Sequence, residues 1–220
     1  MDRKQIAVVI GGGISGKLAA RVLSDFFREV VILERDAEPK GPFPRKGVPQ
    51  GEHLHALLMA GERGLESLFP GITDQYQLNG AVKINSTHDL AWYHHGVWKL
   101  RYKGRYTSIL QSRPQLEWQI EQNIKKIPNV TIHYNQVVKS FILNETQNRI
   151  DGVESLDGNA VKKTWNADLI VDASGVSNLS ISWLNKHSLQ IPEQKVQIGL
   201  TYITKKYNFL KTKTGIGPLS

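Results

Sequence analysis

Ile6-Ala7-Val8-Val9-Ile10-Gly11-Gly12-Gly13-Ile14-Ser15-Gly16 is the stretch that decides the fold. A short apolar run of strand length leads into a glycine turn, and Lys17-Leu18-Ala19-Ala20-Arg21-Val22-Leu23 continues as a helix. A second apolar run, Val30-Val31-Ile32-Leu33, ends in Glu34, 21 residues after Gly13. Strand, glycine turn, helix and acid-terminated strand, in that order, form the fingerprint of a dinucleotide site. Gly11 permits the tight turn, Gly13 lets the backbone approach a pyrophosphate, and Gly16 lets the helix pack closely on the strand. Unpaired N–H groups and the positive dipole end of the helix then face the phosphates, with Ser15 in the first turn. Glu34 is placed to accept hydrogen bonds from the two hydroxyls of an adenosine ribose.

Composition narrows the class. With 220 residues the chain can bury a sizeable core as one domain or two, and 40% hydrophobic with 22% charged residues is ordinary for a globular protein. No apolar stretch approaches the roughly 20 residues that span a bilayer. Met1-Asp2-Arg3-Lys4-Gln5 leads straight into a strand, unlike a secretory signal. The absence of cysteine excludes disulfides, thiolate catalysis and cysteine metal sites, so the cytoplasm is the expected compartment. The net charge of +8 would attract any polyanion, but the basic residues read as scattered pairs such as Lys125-Lys126 and Lys162-Lys163, without a dense stripe. Nucleic acid is therefore not an expected partner, and an anionic dinucleotide accounts for part of the charge equally well.

Further along, Arg35 to Pro44 is rich in Pro and Gly and reads as a loop delivering Arg45. Leu54 to Phe69 shows helical spacing through Leu57, Leu58, Leu65 and Leu68, with Pro70-Gly71 as the stop. Residues 80–110 carry short aromatic and β-branched runs that predict antiparallel strands. Ser112-Arg113-Pro114-Gln115 opens a helix to about Ile127, with Ser112 as cap. Strands follow at Val130–Tyr134, Val137–Leu143, Ile150–Ser155 and Ala160–Trp165, and Asp168–Asp172 predicts a buried parallel strand ending in Ala173-Ser174-Gly175. The expected fold is α/β: a Rossmann-like parallel sheet over residues 1–79 and 112–180, a substrate layer inserted at 80–111, and the start of a truncated substrate domain at 181–220.

These motifs in this order resemble the N-terminal half of FAD-dependent monooxygenases of the aromatic-hydroxylase and squalene-epoxidase type. The resemblance spans residues 5–205 and rests on the glycine turn, Glu34-Arg35, Arg45 with Gly47-Val48-Pro49-Gln50-Gly51-Glu52-His53-Leu54-His55, Ser112-Arg113-Pro114 with Leu116, and Asp172-Ala173-Ser174-Gly175. It implies FAD contacts at Gly11, Gly13, Ser15, Gly16, Glu34, Arg35, Arg45, Arg113, Val137, Asp172 and Gly175, with Arg45 and Arg113 beside the ribityl-pyrophosphate chain. It also implies NAD(P)H as the reductant and hydroxylation or epoxidation of a small apolar or aromatic substrate. A flavin-dependent lipid reductase of the geranylgeranyl-reductase type and a non-catalytic FAD- or ADP-binding fragment are the alternatives. Two departures matter: no arginine follows Gly175 through Ile181, and the chain contains no Gly-Asp dipeptide, the family's ribityl-binding motif. The C-terminal stretch 211–220 reads as a loop, so the chain is expected to be incomplete, inactive alone and prone to self-association.

Other constellations carry less. His53-x-His55 has the alternation of a metal pair without a supporting carboxylate cluster, and a helix start is its expected setting. Trp92, Tyr93, His94, His95 and Trp98 are candidates for pocket lining or for sheet surface. Gly-x-Ser-x-Gly is absent, which excludes the nucleophile elbow of a serine hydrolase.

Overall fold

The computed structural model describes residues 4–45, 47–146, 148–175, 179–189, 191–192, 194, 196–201 and 203–205. At its centre lies a four-stranded parallel sheet in the order β12 (Leu169–Asp172), β1 (Lys4–Ile10), β2 (Phe27–Leu33), β8 (Val130–His133). The continuous apolar runs of β1 and β2 have a direct cause: both faces of the sheet are covered. Ala7, Val9, Val30 and Ile32 point to a helical layer of α1 (Ile14–Leu23), α2 (Met59–Leu68), α3 (Ile72–Leu78) and α4 (Arg113–Ile124). Val8, Ile10, Val31 and Leu33 point the other way, onto the antiparallel meander β9 (Val137–Leu143), β10 (Ile150–Leu156) and β11 (Lys162–Asn166), where Val153 is fully buried. The α/β architecture with a parallel sheet and antiparallel additions is therefore as expected.

A second antiparallel sheet, β3 (Leu54–Leu58), β7 (Thr107–Ser112) and β4 (Val82–Asn85), stands beside the helical layer. Beyond it project the short strands β5 (Tyr93–His94) and β6 (Val97–Trp98). The strands expected over 80–110 are present. The helix expected from Leu54 is not: residues 54–58 form β3, with Leu54 opposite Ser112 and Leu58 opposite Ser108, and the helix begins at Met59. Pairing with a strand 50–58 residues away overrides the local helical spacing. His53 and His55 consequently lead into a strand rather than a helix.

Three boundaries also move. Gly71 at φ +82 stops α2 as expected but immediately opens α3, which the sequence reading passed over as a stop. Helix α4 ends at Ile124, short of Ile127, while its start is as read: the Ser112 hydroxyl accepts from Gln115 N at 3.2 Å. Strand β12 is parallel to β1 as expected, but it is half exposed at the edge of the sheet rather than buried. Among the described residues no helix is long and apolar enough to cross a membrane. The expected loop at 211–220 lies outside the described residues.

Candidate functional site

Strands β1, β2 and β12 all point their C-terminal ends at one cleft of roughly 1200 Å³, its open mouth included. This is where open parallel sheets hold ligands. Gly11, Gly13, Ser15, Glu34 and Arg35 line it from the first βαβ unit, and Arg45, Arg113, Val137 and Gly175 line it from later elements. Nine of the eleven residues singled out in the sequence thus meet in one place, although they span 164 positions. Gly16 and Asp172 are not among the residues that line it.

The glycine turn has distinct demands at each position. Gly11 takes φ +98, and a Cβ there would stand 2.7 Å from Ala173 O. A Cβ on Gly16 would be driven into the Gly11 carbonyl, so Gly16 sets how closely α1 seats on the turn. Gly13 differs: a Cβ there would meet nothing within 4 Å, since its open side faces the cleft. Gly13 is also the N-cap of α1, and no side chain caps the helix. First-turn donors therefore end beside unfilled space, the arrangement an anionic group requires.

Glu34 is nearly buried and rigidly held. Its Oε2 accepts from Gly12 N at 2.7 Å and its Oε1 from Asp36 N at 2.9 Å. Each carboxylate oxygen retains acceptor capacity toward the cleft. Loop and turn therefore position the acid jointly, which ties the β2 terminus to the glycine turn.

Arg45 and Arg113 are less equivalent than their motifs suggest. Arg45 spends its fork on protein carboxylates, with Nη2 on Glu117 Oε2 at 2.6 Å and Nη1 near Glu34 at 3.4 Å and Asp36 at 3.5 Å. Arg113 uses only Nε, on Glu117 Oε1 at 2.7 Å, and its terminal nitrogens have no protein acceptor among the described residues. Glu117 is thus the common anchor of both arginines. Burial alone would raise its carboxyl, but the hydrogen bonds from Arg113 and Arg45 outweigh that and hold it below the usual glutamate range.

One turn further along α4, Glu121 binds Lys17 of α1 at 2.8 Å, with both side chains 3% exposed. Glu121 also accepts from the Tyr134 hydroxyl at 2.8 Å and from Lys125 at 3.2 Å. Burial would raise this carboxyl too, but the Lys17 charge and these donors hold it low. The ladder Arg113, Glu117, Glu121, Lys125 therefore clamps α4 to the glycine-turn helix and to the loop carrying Arg45.

Gln136 was not singled out from the sequence, yet it is 5% exposed and lines the cleft beside Val137. The Trp165 indole can only donate, and it donates to Ser155 Oγ at 2.8 Å. Ser155 must then give its own proton to Gln136 Oε1, at 2.7 Å. This relay fixes the amide with Nε2 as a spare donor. Glu117, Glu121 and Lys17 were missed as well, although a signal existed: Glu117 and Glu121 directly follow Leu116 and Ile120 of the apolar stripe, where charges need partners.

Asp172 does not face the cleft. Its carboxylate accepts from the backbone N–H and hydroxyl of both Ser174 and Ser180, bracing the turn against α5 (Leu179–Lys186). Burial would raise its carboxyl, but these four donors pull it below the usual aspartate range. His53 and His55 engage Thr204 Oγ1 and the His53 carbonyl, and no group of three potential metal ligands occurs among the described residues. Trp92, Tyr93, His94, His95 and Trp98 do not line this cleft; all five are exposed on the projecting β5–β6 ribbon.

Fold and cleft together define an α/β protein of the Rossmann-like class with an open cleft at the C-terminal ends of its parallel strands. No protein-family model matches the chain. Protein Rv3254 of Mycobacterium tuberculosis is 33% identical over 214 residues, covering 93% of this chain and 45% of that protein. Among solved structures, PqsL of Pseudomonas aeruginosa, described as a probable FAD-dependent monooxygenase, is similar at 18% identity and TM-score 0.59, over 89% of this chain and 48% of its own. PqsL has also been solved with 2-aminobenzoylacetate. p-Nitrophenol 4-monooxygenase PnpA of Pseudomonas putida matches at 21% identity and TM-score 0.58, over 82% of this chain and 44% of its own. The myxobacterial FAD-dependent halogenase CndH matches at 22% identity and TM-score 0.61, over 81% of this chain and 39% of its own. The chain therefore has the fold of FAD-dependent monooxygenases and halogenases, and it spans about half the length of the proteins it matches.

Proposed function

We propose that this chain carries the FAD-binding part of an oxidoreductase of the monooxygenase type, acting on a small apolar or aromatic substrate with NAD(P)H as reductant. The observation that carries the reading is the open side of Gly13 above the uncapped N-terminus of α1, with Glu34 fixed across the same cleft. In this reading the free N–H groups of Ile14 and Ser15 and the terminal nitrogens of Arg113 hold the diphosphate. Glu34 accepts from the ribose hydroxyls, and its charge disfavours a 2′-phosphate. Val137 packs on the adenine face while Gln136 Nε2 donates to an acceptor beside it. Arg45, whose fork is committed to carboxylates, sets the wall on which Arg113 and Glu34 stand. Arg35 and Gly175 close the rim, and Gly16 and Asp172 support the turns from below.

FAD, when bound, supplies two-electron redox chemistry and, once reduced, activation of oxygen for transfer to the substrate. The protein groups position it and exclude water. The compounds named for the neighbours, p-nitrophenol for PnpA and the 2-aminobenzoylacetate bound to PqsL, are small aromatics and support that substrate class.

The test is a titration of the purified chain with FAD, followed by visible absorbance and by competition with ADP. Glu34→Ala should weaken both ligands by about 1–3 kcal/mol, the range for a lost charge-assisted hydrogen bond, or roughly 5- to 150-fold. Unchanged affinity in that variant refutes the ribose assignment. Oxygen uptake coupled to product hydroxylation separates a monooxygenase from a lipid reductase.

A further inference from the structure

Ser155 of β10 is fully buried, and Gln136, just ahead of β9, is 5% exposed. With Trp165 of β11 they form a polar relay inside the otherwise apolar layer between the parallel sheet and the meander. The Trp165 ring is itself held against His133, centroids 4.7 Å apart. Buried polar groups carry a desolvation cost, which a relay offsets when every member has a partner. One member lacks one: Gln136 Nε2 has no acceptor among the described residues. Gln122 Nε2 is sealed in without a partner, but Gln136 Nε2 is not, and the space Gln136 lines is the cleft.

Strand order determines what reaches this donor. The glycine turn follows β1, Glu34 follows β2, and Gln136 comes shortly after β8, with the three strands adjacent in that order. Gly12 N donates to the Glu34 carboxylate from one side, and Gln136 N donates to the Glu34 carbonyl at 2.9 Å from the other. Neighbouring strands lie about 4.8 Å apart, comparable to the step from a phosphate to its ribose and from the ribose to its base. A nucleotide with its phosphates at the turn and its ribose at Glu34 therefore brings its base to Gln136.

We propose that Gln136 is the base-selecting residue of the cleft, its Nε2 donating to a ring nitrogen of adenine, with Ser155 and Trp165 as positioning residues that hold the amide in that sense. The proposal rests on the reading of the cleft as a dinucleotide site and adds the group that reads the base. With Oε1 held by Ser155, the amide presents a donor and no acceptor. Adenine meets a lone donor with acceptors at N1, N3 and N7. Uracil has no ring-nitrogen acceptor, since its N3 carries a proton.

The experiment is calorimetric titration of the 220-residue chain with ADP, its 1-deaza, 3-deaza and 7-deaza analogues, and UDP. At least one deaza analogue should bind about 3- to 10-fold more weakly than ADP, the worth of one neutral hydrogen bond, and UDP should also bind more weakly. Gln136→Leu should weaken ADP by that same factor and cancel that analogue's deficit. Ser155→Ala releases Oε1 and lets the amide turn, so the deficit should shrink while the ratio of ADP to 2′-deoxy-ADP affinity, which reads Glu34, stays as in the parent. A merely structural role would lower all these affinities alike. Trp165→Phe removes the indole donor and serves if either variant fails to fold, with the same shrinkage expected. Deaza analogues that all bind like ADP, a deficit untouched by the substitutions, or UDP as tight as ADP would each overturn the proposal and leave the dinucleotide reading standing. No binding of ADP, or binding indifferent to Glu34→Ala, would overturn both.

Discussion

Replacing either partner of the buried Lys17–Glu121 pair should destabilise the protein unequally, and with opposite pH dependence. Both side chains are 3% exposed at 2.8 Å separation, so each single substitution leaves one charge stranded in the interior. A stranded group escapes by changing protonation state, which sets a ceiling on the cost. For Lys17 in Glu121→Gln, neutralisation at pH 7 costs about 4.6 kcal/mol, from 1.36 kcal/mol per unit and an ordinary lysine value near 10.4. No other salt-bridge partner of Lys17 occurs among the described residues, so the loss should approach that ceiling at about 3–4.6 kcal/mol. For Glu121 in Lys17→Met the ceiling is about 3.7 kcal/mol, and Lys125 and Tyr134 remain to hold the carboxylate, which lowers the cost to about 1–3 kcal/mol.

The signs follow from proton linkage. In Glu121→Gln the folded state holds Lys17 neutral while the unfolded state binds the proton, so the penalty shrinks as pH rises toward 10. In Lys17→Met the Glu121 carboxyl is raised in the folded state, so its penalty shrinks as pH falls toward 4. Urea unfolding of both single variants and of the double variant, at pH 5, 7 and 9, measures all of this. Equal single-variant losses with parallel pH profiles would refute the reasoning.

The two glycines of the turn make a second test: Gly13→Ala keeps an allowed backbone and should change stability by no more than about 1 kcal/mol while weakening FAD binding, whereas Gly16→Ala meets the Gly11 carbonyl and should cost at least about 3 kcal/mol in urea unfolding. A third compares the arginines. Arg113→Lys should reduce FAD affinity with little loss of stability, and Arg45→Lys should do the reverse, because its fork binds three carboxylates; identical behaviour in titration and unfolding would remove the distinction. A fourth concerns acid. The stabilisation from the lowered carboxyls of Glu117 and Glu121 is complete above the ordinary glutamate value near 4.3 and is lost as pH falls through their folded values, so the urea midpoint should drop steeply there and less so in Glu117→Gln.

What the sequence made legible was local. The glycine turn, Glu34 and the Ser112 cap announce themselves within a few residues, because backbone sterics and helix-end donors impose fixed spacings. Residues 54–58 were misread for the opposite reason: their helical spacing is a local property, while their partner in β7 is remote. Val137 and Gly175 could be placed at the site only through resemblance, and Gln136 not at all, since its amide is oriented by Ser155 and Trp165 on two other strands. Arg45 and Arg113 both line the cleft, and from their motifs they look interchangeable. Only the position of Glu117 between them separates their roles.

The pairing of β1 with β12 has a bearing on how the molecule is made. Ala7 lies beside Leu169, and Asp168 Oδ2 accepts from both Gln5 N and Ile6 N at 3.0 Å, so the first strand waits for a neighbour encoded 162 positions later. At a synthesis rate of about 5–20 residues per second, roughly 8–30 s separate the emergence of the two. During that interval one edge of β1 has no lasting partner, and non-local closure of this kind is intrinsically slow. The nascent chain therefore spends its most aggregation-exposed period with the glycine turn made and its flank open, which is the stage at which a holding chaperone would meet it.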